Sequence, residues 1–425
     1  DLPLSFAQER LWFLDQLADG QSQFYHIPGV IHLQGIIDKS ILTQTFATIV
    51  ERHESLRTIF STVNEQPVQQ ILNACDWQLN YQDLTELSIQ DAELETQKII
   101  NNALQKPFDL SKDYPFVALL IQQSAQQYTL LVNMHHIISD GWSISILTHE
   151  VATLYDAFRQ GRPDPLPNIA IQYADYASWQ RQWLQGELLS QQEDYWLDKL
   201  AEIDVLELPL DLPRPTVKSY QGASVSFNID EVISEKLRQL SQSQGCTLFM
   251  TLLTAFYILL HRYSGQTDIC VGTPIAGRNR SEIESLIGFF INTLALRIDL
   301  SGNPSVTELQ QRVKQIALEA YAHQDIPFEK VVEKVQSHRD LSHSPIFQVL
   351  FVLQNMPGQQ IVLPELTMTP ETTGVDSAKF DLTMTLLEQQ SSGQIIATLN
   401  YNTDLFVENS IVKMQQHFVR LLEGM

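Results

Sequence analysis

The chain has 425 residues, 44% of them hydrophobic and 18% charged, enough to bury two or three packed layers and to form two domains. Its 50 acidic residues against 27 basic ones leave a formal net charge of -23. With no clustered basic stripe, that balance argues against nucleic acid and an anionic membrane surface as partners.

The chain opens on "DLPLSFAQERLW", without an initiator Met, a basic n-region or an apolar h-region, so it reads as a cytoplasmic piece of something longer. "SFAQERLWFLDQL" has helical spacing and starts from Ser5, a plausible cap. "ILTQTFATIVERHESLRTIF" predicts a helix that gives out near His53, followed by a strand. "ELETQKIINNALQ" is a further amphipathic helix. "PFVALLIQQSAQQYTLLVNMHH" predicts two strands joined through polar residues, and their near-continuous apolar character suits strands covered on both faces. "GWSISILTHEVATLYDAFRQG" predicts a helix ending at Gly161, before a loop at "RPDPLPN". "YASWQRQWLQGELLSQQEDYWLDKLAEI" is helical, and "LELPLDLPRPTVKSYQGA" is a Pro-rich extended crossing.

The second half repeats the mixture. Helices at "EVISEKLRQLSQSQG" and "TLFMTLLTAFYILLHRY" precede a strand at "DICVGTPIAGR". The apolar run Thr247 to Leu260 is too short for a bilayer span of ~20 residues and reads as a buried helix. Ser305 and Glu308 form a capping box for "VTELQQRVKQIALEAYAH". Strands at "IFQVLFVLQN", "FDLTMTLLEQ" and "QIIATLNYN" lead to a closing helix. No repeat or low-complexity tract is visible. The reading is two α/β halves, cut at 1–178 and 179–425, bridged by a connector near 180–225. Cys75, Cys246 and Cys270 are scattered without CxxC spacing, which argues against a disulfide framework and zinc, and each is expected to be a small buried hydrophobe.

"LLVNMHHIISDGWS" carries the chemistry. His135 and His136 end a strand just before a helix N-terminus, where backbone N–H groups favour developing negative charge. Side chains alternate along a strand, so one histidine facing a cavity leaves the other facing the interior. Three other readings stand beside this one. Both histidines are simply packed, or His and Asp bind a metal, although adjacent histidines diverge and no third ligand is spaced nearby. A Ser-His-Asp hydrolase would need GxSxG, which is missing, as are Walker A, GxGxxG and HExxH.

His-His-x-x-x-Asp-Gly at a strand–helix junction resembles the signature of nonribosomal peptide synthetase condensation domains, within the chloramphenicol-acetyltransferase-like acyltransferases. Six other stretches resemble that family's motifs in its order: "LSFAQERLWFL", "RHESLRTIF", "YADYASW", "IGFFINTLALR", "HQDIPFE" and "RDLSHSPIFQ". The last carries His343-Ser344 where Arg-Asn is usual. "SAKFDL" and "LNYNTDLF" extend the likeness. The resemblance implies two acyltransferase-like subdomains in a V with a tunnel between them. It implies amide formation between substrates on the phosphopantetheine arms of an upstream donor and a downstream acceptor carrier protein, beside an adenylation domain, with no cofactor or metal of the domain's own and a monomeric excised domain.

Residue by residue, it implies His136 as the catalytic histidine, His135 as support from beneath, and Gly141 as an unobstructed N–H for the oxyanion. Asp140 turns inward to pair with Arg278, which a cut at 178 makes a tie between the halves. Trp142 lines the acceptor side, and Ser377 is a tunnel residue. The heterocyclisation subtype replaces both histidines with Asp, and the epimerisation subtype usually lacks Gly-Trp-Ser. The present letters most resemble domains that join an L-donor to an L-acceptor. A stand-alone acyltransferase and a degenerate, partner-recruiting domain are the rival readings.

Overall fold

Each half of the chain supplies helices and a mixed sheet, and two units result, each with its own core. The computed structural model describes residues 2–17, 25–335, 342–354, 366–371, 377–389 and 392–425. The units do not meet at one cut. The first gathers the described residues of 1–183, 276–291 and 358–374, and the second those of 184–275, 292–357 and 375–425. A boundary after residue 178 falls inside the helix Tyr173–Trp183, and the expected connector divides between the units.

In the first unit five strands lie in the order Thr367–Glu371, His26–Gln34, Gln127–His135, Phe116–Ser124, Asn80–Asp83. Gln127–His135 pairs antiparallel along its length with His26–Gln34 on one side and Phe116–Ser124 on the other. Eight consecutive buried residues on this central strand explain its apolar run. Leu130, Val132 and Met134 face the helices Lys39–Arg52 and Gly141–Arg159, while Leu131 faces the opposite core with Ala92 and Ile100 of the helix Ile89–Gln105. The sheet is covered on both faces, so the end of this strand is a rigid platform.

The second unit holds six strands in the order Asn292–Asp299, Asp268–Ile275, Val349–Gln354, Leu382–Glu388, Ile395–Asn402, Gly222–Ile229. Val349–Gln354 runs parallel to both of its neighbours. The apolar helix Leu248–Ser264 starts from Thr247, whose hydroxyl accepts the Met250 N–H, and packs at the centre of this core. No single helix among the described residues is long and apolar enough to cross a membrane. Two sequence expectations change. The helical stretch after residue 173 breaks at Gly186, φ +58°, into Tyr173–Trp183 and Gly186–Lys199. Of the cysteines only Cys270 is buried; Cys75 is exposed and Cys246 intermediate, because neither lies inside a core helix or strand.

Candidate active site

The central strand of the first unit ends at His135, and the chain turns through one 3-10 turn, His136–Ile138, before the helix Gly141–Arg159 begins. The turn separates the two imidazoles. His135 is 1% exposed, and its Nδ1 accepts the Ile137 N–H at 3.1 Å, pinning the turn from beneath. Burial, helped by the imidazoles of His26 and His136, pulls its pKa down to about 3, so it stays neutral. Its buried Nε2 has no hydrogen-bond partner.

His136 is only partly buried. Its Nδ1 lies 2.9 Å from the Ser139 carbonyl, which can only accept, so the ring donates Nδ1–H there. The neutral ring then carries its basic lone pair on Nε2, the tautomer that proton abstraction needs. The Phe289 ring meets the imidazole edge-on, centroids 5.3 Å apart.

Asp140 caps the following helix. It is fully buried; Oδ1 accepts the Ser143 N–H at 2.8 Å, and Oδ2 accepts the Phe290 N–H at 3.1 Å. The Arg278 Nη2 reaches Oδ1 at 3.2 Å, and the guanidinium side chain is 1% exposed. Arg278 also donates Nη1 to the carbonyls of Ile283 and Leu286, both at 2.7 Å, and its guanidinium carbon lies 4.1 Å from the Phe290 ring centroid. Desolvation lowers the Arg278 pKa, and Asp140 opposes that shift. Both partners belong to the first unit, so the pair does not tie the units together as the cut at 178 predicted. It fastens the segment 276–291, distant in sequence, onto the helix N-terminus.

The same segment is held at many other points. Ser143 Oγ accepts the Gly288 N–H at 3.0 Å. Ser55 Oγ donates to the Ile287 carbonyl at 2.7 Å, and the Tyr173 hydroxyl to the Phe289 carbonyl at 2.5 Å. Ser5 Oγ lies 2.8 Å from that hydroxyl. Trp142 donates Nε1–H to the Glu284 carbonyl at 2.9 Å, so its indole is fixed on this segment. A Cβ at Gly288 would stand 2.1 Å from the Tyr173 ring, and Gly277, φ +65°, has the Phe290 carbonyl where a Cβ would go. Only glycine fits both positions.

His53 Nε2 donates to Glu150 at 2.8 Å, Arg52 Nε donates to the same carboxylate at 3.0 Å, and His53 Nδ1 accepts the Ile287 N–H at 3.4 Å. Desolvation pushes the Glu150 pKa up, but His53 and Arg52 outweigh it and the net shift is down.

The structure thus brings together His135, His136, Asp140, Gly141, Trp142 and Arg278. Ser377 lies in the second unit, where it bridges Gln221 and its carbonyl accepts the Asn400 amide at 3.2 Å. Arg339, Asp340 and Leu341 of the seventh motif lie outside the described residues. Sequence reasoning missed Ser5, Ser55, His53, Glu150 and the Tyr173 hydroxyl as parts of this corner. The available signal was that four sit inside quoted motifs; Glu150 had none.

The Condensation domain family matches residues 1–425. The chain is 46% identical over 426 residues to one polypeptide of the linear gramicidin synthase of Brevibacillus parabrevis, covering 100% of this chain but 6% of that relative's length. The crystal structure of the X-domain from teicoplanin biosynthesis superposes with a TM-score of 0.86 at 29% identity, covering 99% of this chain and 94% of that one. The condensation domain of the monacolin K polyketide synthase shares the fold, with a TM-score of 0.84 at 18% identity, covering 100% and 96% of the two chains.

Proposed function

We propose, on the premise that this chain belongs to the condensation-domain family, that it forms amide bonds between thioester-borne substrates as one domain of a peptide synthetase. The acceptor is an aminoacyl thioester on the phosphopantetheine arm of a downstream carrier protein. Its α-amine attacks the carbonyl of a peptidyl or acyl thioester on an upstream carrier, and an adenylation domain adjoins. The letters around the histidine pair favour an L-configured donor and acceptor.

The observation that carries this reading is the Nδ1–H bond of His136 to the Ser139 carbonyl, which leaves the ring's lone pair on Nε2. A free α-amine has a pKa of roughly 7.7–8.0, so about a tenth or more of it is unprotonated and nucleophilic at neutral pH. As the C–N bond forms, the nitrogen becomes cationic. His136 Nε2 takes its proton, the tetrahedral oxyanion collapses, the C–S bond breaks, and the imidazolium returns the proton to the departing thiolate. Gly141, first residue of the helix, offers an N–H to the oxyanion. Asp140 stays outside the proton transfer because its oxygens are engaged by Ser143, Phe290 and Arg278. Trp142 lines the acceptor side.

The test loads two carrier proteins with defined L-aminoacyl groups and follows product by mass. His136→Ala should slow single-turnover amide formation ~100- to 10,000-fold while melting like the parent. Parent-like rates from the folded variant refute the role of His136. Equal rates with soluble thioesters and free amines would favour a stand-alone acyltransferase. No product from any pair would favour a recruiting domain.

A further inference from the structure

The central strand of the first unit carries buried polar atoms that the proposed proton transfer does not use. Asn133 and His135 stand two residues apart on it, so both point to the face that Leu131 presents to the helix Ile89–Gln105. Both residues are buried, and Asn133 Oδ1 and His135 Nε2 have no hydrogen-bond partner in the protein. His135 Nδ1 is occupied as acceptor of the Ile137 N–H, so the ring's proton sits on Nε2. His26 lies directly opposite His135 on the neighbouring strand, which puts its side chain on the same face. Its Nδ1 is 3.3 Å from the Leu104 carbonyl, which can only accept, so the neutral ring keeps its lone pair on Nε2. Burial lowers the His26 pKa, against the pull of the Leu104 carbonyl, and that favours the neutral ring.

These atoms form a matched set, one N–H donor on His135 and two acceptors, on His26 and Asn133. The rings of Tyr25, His26 and Phe108 surround the His135 imidazole, with centroids 6.2, 6.2 and 6.3 Å away. At that spacing the two imidazoles do not bond each other directly. A buried donor left unpaired is costly, and a buried water typically makes about three hydrogen bonds to such groups. One water complements this set: its lone pair accepts the His135 Nε2–H, and its two O–H groups serve His26 Nε2 and Asn133 Oδ1. His26 is only half-buried, so water reaches the spot from solvent. We propose that His26 and Asn133 are positioning residues which, through one ordered water, hold His135 as the Nε2–H tautomer and so fix the turn that carries His136. The other tautomer would set Nδ1–H against the Ile137 N–H, donor against donor, and release the turn. The water and the tautomer stand on geometry; the effect on rate rests on the condensation reading of His136.

The test is heteronuclear NMR on protein carrying isotope-labelled histidine, read without substrate. In the parent, His135 Nε2–H should appear as a slowly exchanging resonance with a cross-peak to a long-lived water, and Nδ1 as an unprotonated nitrogen. His26→Phe and Asn133→Leu each delete one acceptor. Both should lose the water cross-peak and shift the Ile137 amide resonance. Single-turnover amide formation from two loaded carriers should then slow at least about tenfold, and up to roughly 100-fold, with acceptor affinity unchanged. His26→Gln, whose side-chain oxygen supplies an acceptor again, should restore the cross-peak, the Ile137 resonance and the rate. Should His26→Phe not fold, Asn133→Leu makes the same comparison, and the parent spectrum needs no variant at all. A parent His135 protonated on Nδ1, or without a long-lived water at Nε2–H, overturns the proposal. So do deletion variants that keep the parent Ile137 resonance and rate, or a slow His26→Phe protein whose rate His26→Gln does not recover. The spectral signature in a protein that makes no amide keeps the water site and removes the condensation reading; amide formation by a parent without the signature removes the positioning alone.

Discussion

Replacing Asp140 with alanine should loosen the corner of the first unit that holds His136, rather than remove a reacting group. The buried carboxylate accepts the Ser143 N–H at 2.8 Å, the Phe290 N–H at 3.1 Å and Arg278 Nη2 at 3.2 Å. Alanine removes the cap of the helix Gly141–Arg159, which costs ~1 kcal/mol. It also leaves the 1% exposed guanidinium of Arg278 without a counter-charge, its remaining acceptors being the neutral Ile283 and Leu286 carbonyls and Ser143 Oγ. Stripping one partner from a buried pair costs ~3–5 kcal/mol, and adding the cap gives ~4–6 kcal/mol. In a unit of roughly 150–250 residues each kcal/mol lowers Tm by ~2–4 °C, so the transition should fall by ~8–24 °C. His136→Ala loses the neutral hydrogen bond to the Ser139 carbonyl, ~0.5–1.5 kcal/mol, and should melt within a few degrees of the parent. Arg278→Met should resemble the aspartate variant, and the double variant should be less than additive, because no buried charge then remains unpaired. Calorimetric melts of the four proteins, beside amide formation from two loaded carriers, make the measurement. An Asp140→Ala protein that melts like the parent yet forms no product would place Asp140 in the chemistry and refute the reasoning.

Tyr173→Phe should destabilise by ~1–3 kcal/mol, because its hydroxyl joins Ser5 to the Phe289 carbonyl; it should also lower the single-turnover rate without weakening carrier binding, and unchanged melts and rates would remove this bolt. His135 sets a pH dependence of stability. Its folded pKa is lowered from 6.5 to about 3, so the unfolded state binds the extra proton first as pH falls. Stability is therefore complete above pH 6.5 and declines from there toward pH 3 by at most about 1.4 kcal/mol per unit. Urea unfolding across that range should show a shallower slope for His135→Gln, and an unaltered slope would refute a neutral buried His135.

Much of the fold was legible because burial writes itself into periodicity. The hairpin Phe116–Ser124 and Gln127–His135, the helix Leu248–Ser264 and the capping box at Ser305 and Glu308 all follow from local patterns. His26–Gln34 was not read as a strand, although it pairs along the whole central strand. Pro28 and Gly29 interrupt its pattern, and Pro28 cannot donate to the ladder. The neighbour's fixed backbone supplies what its own residues do not announce. The division into units was illegible for a related reason: the segments 276–291 and 366–371 join the first unit through tertiary contacts made far from it in sequence.

The site was legible as residue types and only partly as a structure. A strand ending in two histidines, followed by Asp-Gly and a helix, specifies one imidazole facing inward and one outward. That the carboxylate also caps the helix emerges only in the structure. What spacing cannot encode is why four other motifs exist. In the first unit Ser5, His53, Ser55 and Tyr173 join Asp140 and Ser143 in holding the backbone of residues 287–290. That backbone places Phe289 against His136. The bonds run from scattered side chains to main-chain atoms, so any one of them looks like an ordinary core residue when read alone. The reaction proposed for His136 requires its ring to be held to within fractions of an ångström, because misplacement by about 1 Å can cost roughly 100-fold in rate. Apolar packing alone lets a loop slide, whereas several buried hydrogen bonds to four consecutive residues do not. The motifs mark the chain's investment in that rigidity, which leaves the His136 ring partly exposed against Phe289.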